Sequence, residues 1–154
     1  MNEIRKVVKS DIKALKSVLD SIDLFPTDML DDMISDYFDN PETEDVWFTV
    51  VQNETPISIG YCVPEKLTDG TYNLLAIGVQ SDLQAKGIGG AMMTFIEDYL
   101  KNLSHRVLIV ETSSVLEFQS TREFYLKRGY THEATIRDFW KEGDDKVIFW
   151  KKLA

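Results

Sequence analysis

The sequence predicts a single α/β domain in which about four helices flank a mixed, mostly antiparallel sheet of about seven strands. Three observations lead to this prediction. Extended apolar runs alternate with amphipathic helical repeats, turn residues separate three successive extended runs, and a long helical repeat joins two apolar runs near the middle of the chain. The 154 residues, 44% hydrophobic and 28% charged, fit one domain with one core over residues 1–154.

The first half of the chain is predicted to form a strand, two helices and a meander. Ile4 to Val8 is a short apolar run typical of a strand, and Ser10 or Asp11 can cap the helix that follows it. A second helix carries its apolar residues between Leu30 and Phe38, and Asn40-Pro41 ends it. Three extended runs separated by turn residues then predict an antiparallel meander: Val46 to Val51, Ile57 to Val63, and Thr71 to Val79.

The second half begins with a helix whose buried face is expected to run from Ile88 to Leu103. The apolar run Val107 to Val110 follows it as an inner strand, which completes a βαβ unit. Gln119 to Arg128 is predicted to be helical and to end at Gly129, a favourable residue for a helix C-terminus. Two further runs predict a final strand pair: Tyr130 to Ile136 and Lys146 to Lys152.

Composition excludes several classes of protein. The chain has 17 Lys and Arg against 26 Asp and Glu, a net charge of −9, which disfavours nucleic acid as a partner. The lone Cys62 lies in an apolar run typical of buried packing, and we find no spacing typical of metal ligands. The N-terminus has no apolar core like that of a signal peptide, and no apolar run reaches the length of a membrane span. We therefore expect a cytoplasmic protein without metal or membrane partners.

The stretch from Val79 to Gly90 places glycines between the end of a strand and the start of a helix. Glycines let the backbone approach a ligand closely, and the first turn of a helix offers N–H groups and a positive dipole end. This pattern favours a pyrophosphate site built from backbone amides. The stretch matches neither a Walker A loop nor a dinucleotide fingerprint, because the residue types at the required positions differ. A tight turn without a ligand stays an alternative, as does a nucleotide-binding module.

Two motifs together resemble the GNAT superfamily of N-acetyltransferases. The first is Gln-x-x-Gly-x-Gly from Gln84 to Gly89, and the second is Phe124-Tyr125 followed by Gly129-Tyr130. The order of predicted elements is also similar to that fold over essentially the whole chain. The resemblance implies acetyl-CoA as the cofactor. It also implies that the pantetheine arm bonds a strand end that usually bulges, and that backbone amides of the loop hold the pyrophosphate. The residues that match these positions are Ile77, Gly78, Val79, Gln84, Ala85, Lys86, Gly87, Ile88, Gly89 and Gly90.

The resemblance assigns Tyr125 to protonation of the departing thiolate, where a phenol with an unperturbed pKa of about 10 suits the task. The alternative is that Tyr125 only fills the core, as we expect of its neighbour Phe124. Glu111, at the end of the inner strand, is a candidate base for the ammonium form of the acceptor, or else a polar strand terminus bonded to nearby backbone.

The acceptor is expected to be a primary amine of a small molecule or a peptide, contacted by Phe25, Asp28, Phe139 and Trp140. The tail from Arg137 to Lys146 resembles a GNAT subgroup with an Asp-Phe-aromatic and a Gly-Asp-Asp-Lys signature. Asp144 and Asp145 are interpreted as parts of a hairpin whose turn is Gly143-Asp144. A non-catalytic acyl-CoA-binding or sensing domain on the same fold is the alternative function, and a homodimer stays open.

Overall fold

The computed structural model describes residues 2–153 and has the predicted α/β architecture. Within these residues, four α-helices accompany eight strands of a mixed, mostly antiparallel sheet. The helices are α1 Ile12–Ser21, α2 Leu30–Asp39, α3 Ile88–Asn102 and α4 Gln119–Lys127. The strands are β1 Glu3–Lys6, β2 Val46–Gln52, β3 Thr55–Pro56, β4 Ser58–Pro64, β5 Thr71–Val79, β6 Val107–Ser113, β7 Thr131–Lys141 and β8 Asp144–Lys152. The two-residue strand β3 accounts for the difference from the predicted seven strands.

The chain forms two compact units. The first unit comprises residues 2–64 and 75–96, and the second comprises residues 65–74 and 97–153. The prediction of one domain over 1–154 stays a prediction. None of the helices in the described part of the chain is long and apolar enough to cross a membrane.

In the first unit, the strands lie in the order β1-β2-β4-β5, and β2 pairs antiparallel with both β1 and β4. Helices α1 and α2 bury the apolar faces that their spacing predicts. Their buried residues join those of β2, β4 and β5 in one core. Within this core the rings of Trp47 and Tyr61 stack with 3.9 Å between their centroids. The core residues are Val7, Leu15, Leu19, Leu30, Ile34, Trp47, Ile59, Tyr61 and Ala76.

Asp11 anchors the start of the first unit. Its carboxylate accepts hydrogen bonds from Arg5 Nη1 at 2.7 Å, Arg5 Nη2 at 3.0 Å and the Val8 amide at 2.8 Å. Burial by itself would raise the pKa of this carboxyl, but the hydrogen bonds from Arg5 and Val8 outweigh burial and lower it. Asp11 therefore stays ionised although it is only 4% exposed.

In the second unit, β5 pairs parallel with β6, and β8 pairs antiparallel with β6 and β7. The parallel pair with α3 between its strands in sequence confirms the predicted βαβ unit. The sheet order here is β5-β6-β8-β7, so β7 is its last strand. Helix α4 ends before Gly129, whose φ of +88° confirms the expected C-terminal glycine. The buried side chains of this unit include Leu108, Val110, Tyr125, Tyr130, Val147 and Phe149.

Several predicted boundaries were wrong. Strand β1 ends at Lys6 rather than Val8, and Val8 is exposed. Leu103 lies beyond the end of α3 and is also exposed, because the buried face of that helix ends at Leu100. The last two strands are longer than predicted, and the turn between them is Glu142-Gly143, with Gly143 at a φ of +82°.

Candidate active site

The loop between β5 and α3 leads directly into the first turn of α3. The Ala91 amide donates to the Gly87 carbonyl at 3.1 Å, so Gly87 is the residue that begins the helical hydrogen bonding. The N–H groups of Ile88, Gly89 and Gly90 therefore lie in the first turn of a 15-residue helix, where they have no acceptor within the helix. Ala85 and Gly87 both have positive φ, at +61° and +83°. These backbone angles turn the loop sharply into the helix.

The geometry of this loop suits an anionic group. Gln84, Ala85, Lys86 and Gly87 are all exposed. A Cβ built on Gly87 would meet no heavy atom of the described residues within 4 Å, so there is open space in front of the loop. First-turn N–H groups and the helix dipole favour an anion in that space. The site can therefore attract phosphate locally although the whole chain carries a charge of −9.

The end of β5 lies beside this loop in the first unit. A Cβ on Gly78 would come within 2.5 Å of Ile22 Cδ1 and 3.2 Å of Leu24 Cδ2, so glycine permits a close approach there. The Gln84 side-chain amide donates to the Val79 carbonyl at 3.1 Å, which ties the loop to the strand end. The structure thus brings the residues predicted for the cofactor, from Ile77 to Val79 and from Gln84 to Gly90, into one region. The expected bulge in β5 stays a prediction.

Tyr125 is a core residue of the second unit and is 2% exposed. Its ring lies 5.6 Å from that of Tyr130 and 5.5 Å from that of Phe149. Burial raises the pKa of the Tyr125 phenol well above its ordinary value of about 10. The expectation for Phe124 was wrong, because Phe124 is only half-buried. On α4, Tyr125 is therefore the residue that is buried in the core, and Phe124 is less buried.

Glu111 forms an ion pair that the sequence did not reveal. Its Oε2 lies 2.6 Å from Lys146 Nζ, and both side chains are largely buried. The same ammonium lies 4.1 Å from the centre of the Phe139 ring, a favourable cation–π distance. Trp140 Nε1 donates to the Thr112 carbonyl at 3.2 Å. The structure therefore brings Glu111, Phe139 and Trp140 together at the end of β6, with Lys146 among them.

The rest of the tail signature stabilises the same end of β6. Asp144 accepts hydrogen bonds from Ser113 Oγ at 2.5 Å and from the Ser114 amide at 3.3 Å. Asp145 accepts one from the Asp138 amide at 2.8 Å, and its own amide donates to Ser114 Oγ at 2.8 Å. Both aspartates thus hold the hairpin to the loop after β6. Lys146 is the member of the signature whose side chain reaches Glu111.

The two remaining predicted site residues lie in the first unit. Phe25 is half-buried against its core, and Asp28 is exposed in a single 3-10 turn at Thr27–Met29.

A protein-family comparison assigns the class of this chain. Residues 43–132 match the model described as "Acetyltransferase (GNAT) domain", which is more than half of the chain. The chain therefore belongs to the GNAT acetyltransferase family. The matched residues include the loop before α3 and Tyr125, and they end before Phe139, Trp140 and Lys146.

Individual relatives agree with this family. An uncharacterized N-acetyltransferase of Methanocaldococcus jannaschii is 28% identical over 86 residues, which are 54% of this chain and 53% of the relative. The chain thus spans about half the length of that curated relative. A crystal structure of a GNAT-family protein from Desulfovibrio desulfuricans, assigned as an acetyltransferase, has a TM-score of 0.93 and 24% identity, with both chains fully covered. An aminoglycoside 6'-N-acetyltransferase in complex with coenzyme A has a TM-score of 0.74 and 11% identity, covering 99% of this chain and 97% of that one. At these sequence identities, the likeness to the two crystal structures shows that this chain shares their fold and nothing further.

Proposed function

We propose that this protein is an acetyl-CoA-dependent N-acetyltransferase that moves the acetyl group directly to a primary amine of a small molecule or a peptide. The observation that carries the proposal is the loop at Gly87, where open space lies beside a helix start whose first-turn amides lack acceptors within the helix, in a member of the GNAT family. When bound, acetyl-CoA supplies an activated acyl group as a thioester. The cytoplasmic location stays a prediction from the sequence.

Two segments of the chain are proposed to bind different parts of acetyl-CoA. We propose that the amides of Ile88 to Gly90 bind the pyrophosphate and that the backbone from Ile77 to Val79 bonds the pantetheine arm. Backbone N–H near Val79 would polarise the thioester carbonyl, because a donor aimed at developing negative charge lowers the barrier. An amine can then attack directly, and no covalent intermediate on the protein is needed.

Tyr125 is proposed to donate its hydroxyl proton to the departing sulfur. Because burial raises its pKa, the phenol stays protonated across the neutral range. The phenol is therefore present with its proton and cannot act as a base there, while the same burial makes it a weaker acid than free tyrosine. We expect the pH profile of turnover to show no limb from this residue below about pH 10.

We propose that the acceptor amine contacts the aromatic and acidic residues around β6, together with Phe25 and Asp28. Glu111 is the candidate base, with its carboxylate oriented by the contact to Lys146. A net charge of −9 favours cationic over anionic acceptors. Membership of the subgroup with the Asp-Phe-aromatic and Gly-Asp-Asp-Lys signature is part of this proposal.

The test is turnover of acetyl-CoA with a panel of amines, small molecules and peptides with free N-termini, measured as release of the CoA thiol. We expect turnover with primary amines and none with hydroxyl or carboxylate compounds. Tyr125→Phe should keep acetyl-CoA affinity and lower kcat by roughly 10²-fold, the usual scale for a positioned acid.

Tyr130→Phe is the matched control, since Tyr130 is a neighbouring buried tyrosine whose hydroxyl donates to Glu97 Oε2 at 2.6 Å. It should lower stability and leave kcat unchanged. Acetyl-CoA binding without turnover of any amine would favour the non-catalytic acyl-CoA-binding function. Wild-type kcat in Tyr125→Phe would mean that the tyrosine only fills the core.

A further inference from the structure

The connection between α1 and α2, residues 22–29, packs over the end of β5. A Cβ built on Gly78 would lie 2.5 Å from Ile22 Cδ1, 3.2 Å from Leu24 Cδ2 and 3.9 Å from Ile59 Cγ2. The first of these distances is shorter than real Cβ atoms tolerate. A glycine inside a strand often marks a place where another group comes close to the backbone. The side chains of Ile22 and Leu24 therefore occupy the space that a side chain at position 78 would take.

The three side chains around Gly78 are apolar, and two of them keep exposed surface. Ile59 is fully buried, whereas Ile22 and Leu24 are only half-buried. Burial of a methyl group against such a surface is favourable. A carboxylate would lose its hydration there, and these side chains offer no hydrogen bond in return. The surface thus suits a small apolar group.

Strand β5 continues past its pairing with β6. The two strands pair in register from Thr71 to Leu74, and β5 extends to Val79. A pantetheine arm bonded to this backbone as an added strand would end at the thioester near Val79, as proposed above. Side chains alternate between the two faces of a strand, so Gly78 faces the opposite side from its two neighbours. On that side the strand end carries no side chain of its own, and the connection covers it.

Hydrogen bonds hold this connection at both ends. At the end of α1, Ser21 Oγ accepts from the Ser81 amide at 3.2 Å and donates back to a carbonyl of α1 at 2.8 Å. At the other end, Thr27 Oγ1 donates to Asp20 Oδ1 at 2.5 Å. The bond to Ser81 joins the connection to the residues just after β5. Ile22, the next residue after Ser21, is therefore held close to the strand end.

We propose that Ile22 and Leu24 form an acyl wall that limits the acyl group of the thioester to two carbons. This inference rests on the proposed function, since it needs the thioester to lie near Val79. An acetyl group there ends in one methyl group, and each further methylene has to displace one of the two side chains. One methylene in an apolar site changes specificity by roughly 10- to 200-fold. The acyl wall thus selects acetyl over longer and over charged acyl groups.

The test is calorimetry of CoA, acetyl-CoA and butyryl-CoA with the whole protein and without an acceptor. We expect wild-type protein to bind acetyl-CoA roughly tenfold or more tightly than butyryl-CoA. Ile22→Ala and Leu24→Ala each remove three carbons from the acyl wall, so each should raise the affinity for butyryl-CoA by roughly tenfold or more. The affinity for CoA, which has no acyl group, should stay unchanged in both variants.

Ile12→Ala is the matched control. Ile12 is half-buried at the start of α1 and packs against the core of the same unit. It lies ten residues before Ile22, which corresponds to about 15 Å along a helix. The substitution removes the same carbons as Ile22→Ala and should leave the preference for acetyl-CoA unchanged. Thermal unfolding checks that all three variants are folded.

A wild-type protein that binds acetyl-CoA and butyryl-CoA equally overturns the acyl wall and leaves the proposed function standing. So does a preference for acetyl-CoA that neither wall variant changes, or that Ile12→Ala changes as much. If wild-type protein bound neither CoA nor acetyl-CoA, the proposed function itself would be overturned, and the acyl wall with it.

Discussion

The glycine loop of the first unit and the tail network of the second unit are built in opposite ways. The loop from Gln84 to Gly90 consists of backbone N–H groups at a helix start, and a side-chain hydrogen bond ties Gln84 to Val79. The tail network consists of side-chain bonds that join residues about 30 positions apart, such as Ser113 with Asp144. A site made of backbone depends on φ and open space, whereas a site made of side chains depends on the folding of distant segments. We therefore expect changes in the loop to affect ligand affinity and changes in the tail to affect stability.

The largest expected effect on ligand affinity is that of Gly87→Val on acetyl-CoA binding. Valine at a φ of +83° is strained, so the loop has to rearrange and its amides move. We expect the acetyl-CoA dissociation constant, measured by calorimetry, to rise at least tenfold. Gly143→Val is a matched control, because Gly143 also has a positive φ, +82°, and open space around its Cβ position, but lies in the tail turn. It should lose comparable stability and keep acetyl-CoA affinity. Unchanged affinity in a folded Gly87→Val protein would contradict the proposed cofactor loop.

The next effect is that of Asp144→Ala on stability. The change leaves the Ser113 hydroxyl and the Ser114 amide without their charged acceptor, which costs about 2–3 kcal/mol of unfolding free energy. Denaturant unfolding measures the loss, and acetyl-CoA affinity should stay near the wild-type value. Asp144→Asn keeps a carbonyl oxygen as an acceptor, so we expect it to lose less. If Asp144→Ala weakened acetyl-CoA binding without loss of stability, the contrast between the two regions would be wrong.

The smallest effect concerns Asp11, whose bonds span three and six positions of sequence within the first unit. Its pKa is lower in the folded protein than in the unfolded chain, so the ionised carboxylate contributes stability above the unfolded value of about 3.9. This contribution is lost as the pH falls through the lower folded pKa. Asp11→Asn should therefore cost about 1 kcal/mol at pH 7 and progressively less below about pH 4. Unfolding curves at several pH values test this, and a cost independent of pH would contradict the assignment.

The contrast also explains which features the sequence could predict. The glycines before α3, the helical faces and the parallel β5–β6 pair depend on local pattern, and each was predicted near its observed place. The ion pair of Glu111 with Lys146 joins residues 35 positions apart, and no local pattern in the sequence pointed to it. The turn at Glu142-Gly143 differs by one residue from the prediction, because several adjacent residues favour turns equally. The inward position of Tyr125 relative to Phe124 depends on the exact rotation of α4, which two adjacent aromatic residues do not define.

The stacked Trp47 in the first unit has a spectroscopic consequence. Its indole is fully buried against Tyr61, whereas the other two tryptophans, Trp140 and Trp150, lie in the second unit with partly exposed rings. Indole emission shifts to longer wavelength in water, so light emitted on the blue side of the spectrum comes mainly from Trp47. The fluorescence of Trp47 therefore reports on the first unit, and the fluorescence of Trp140 and Trp150 reports on the second.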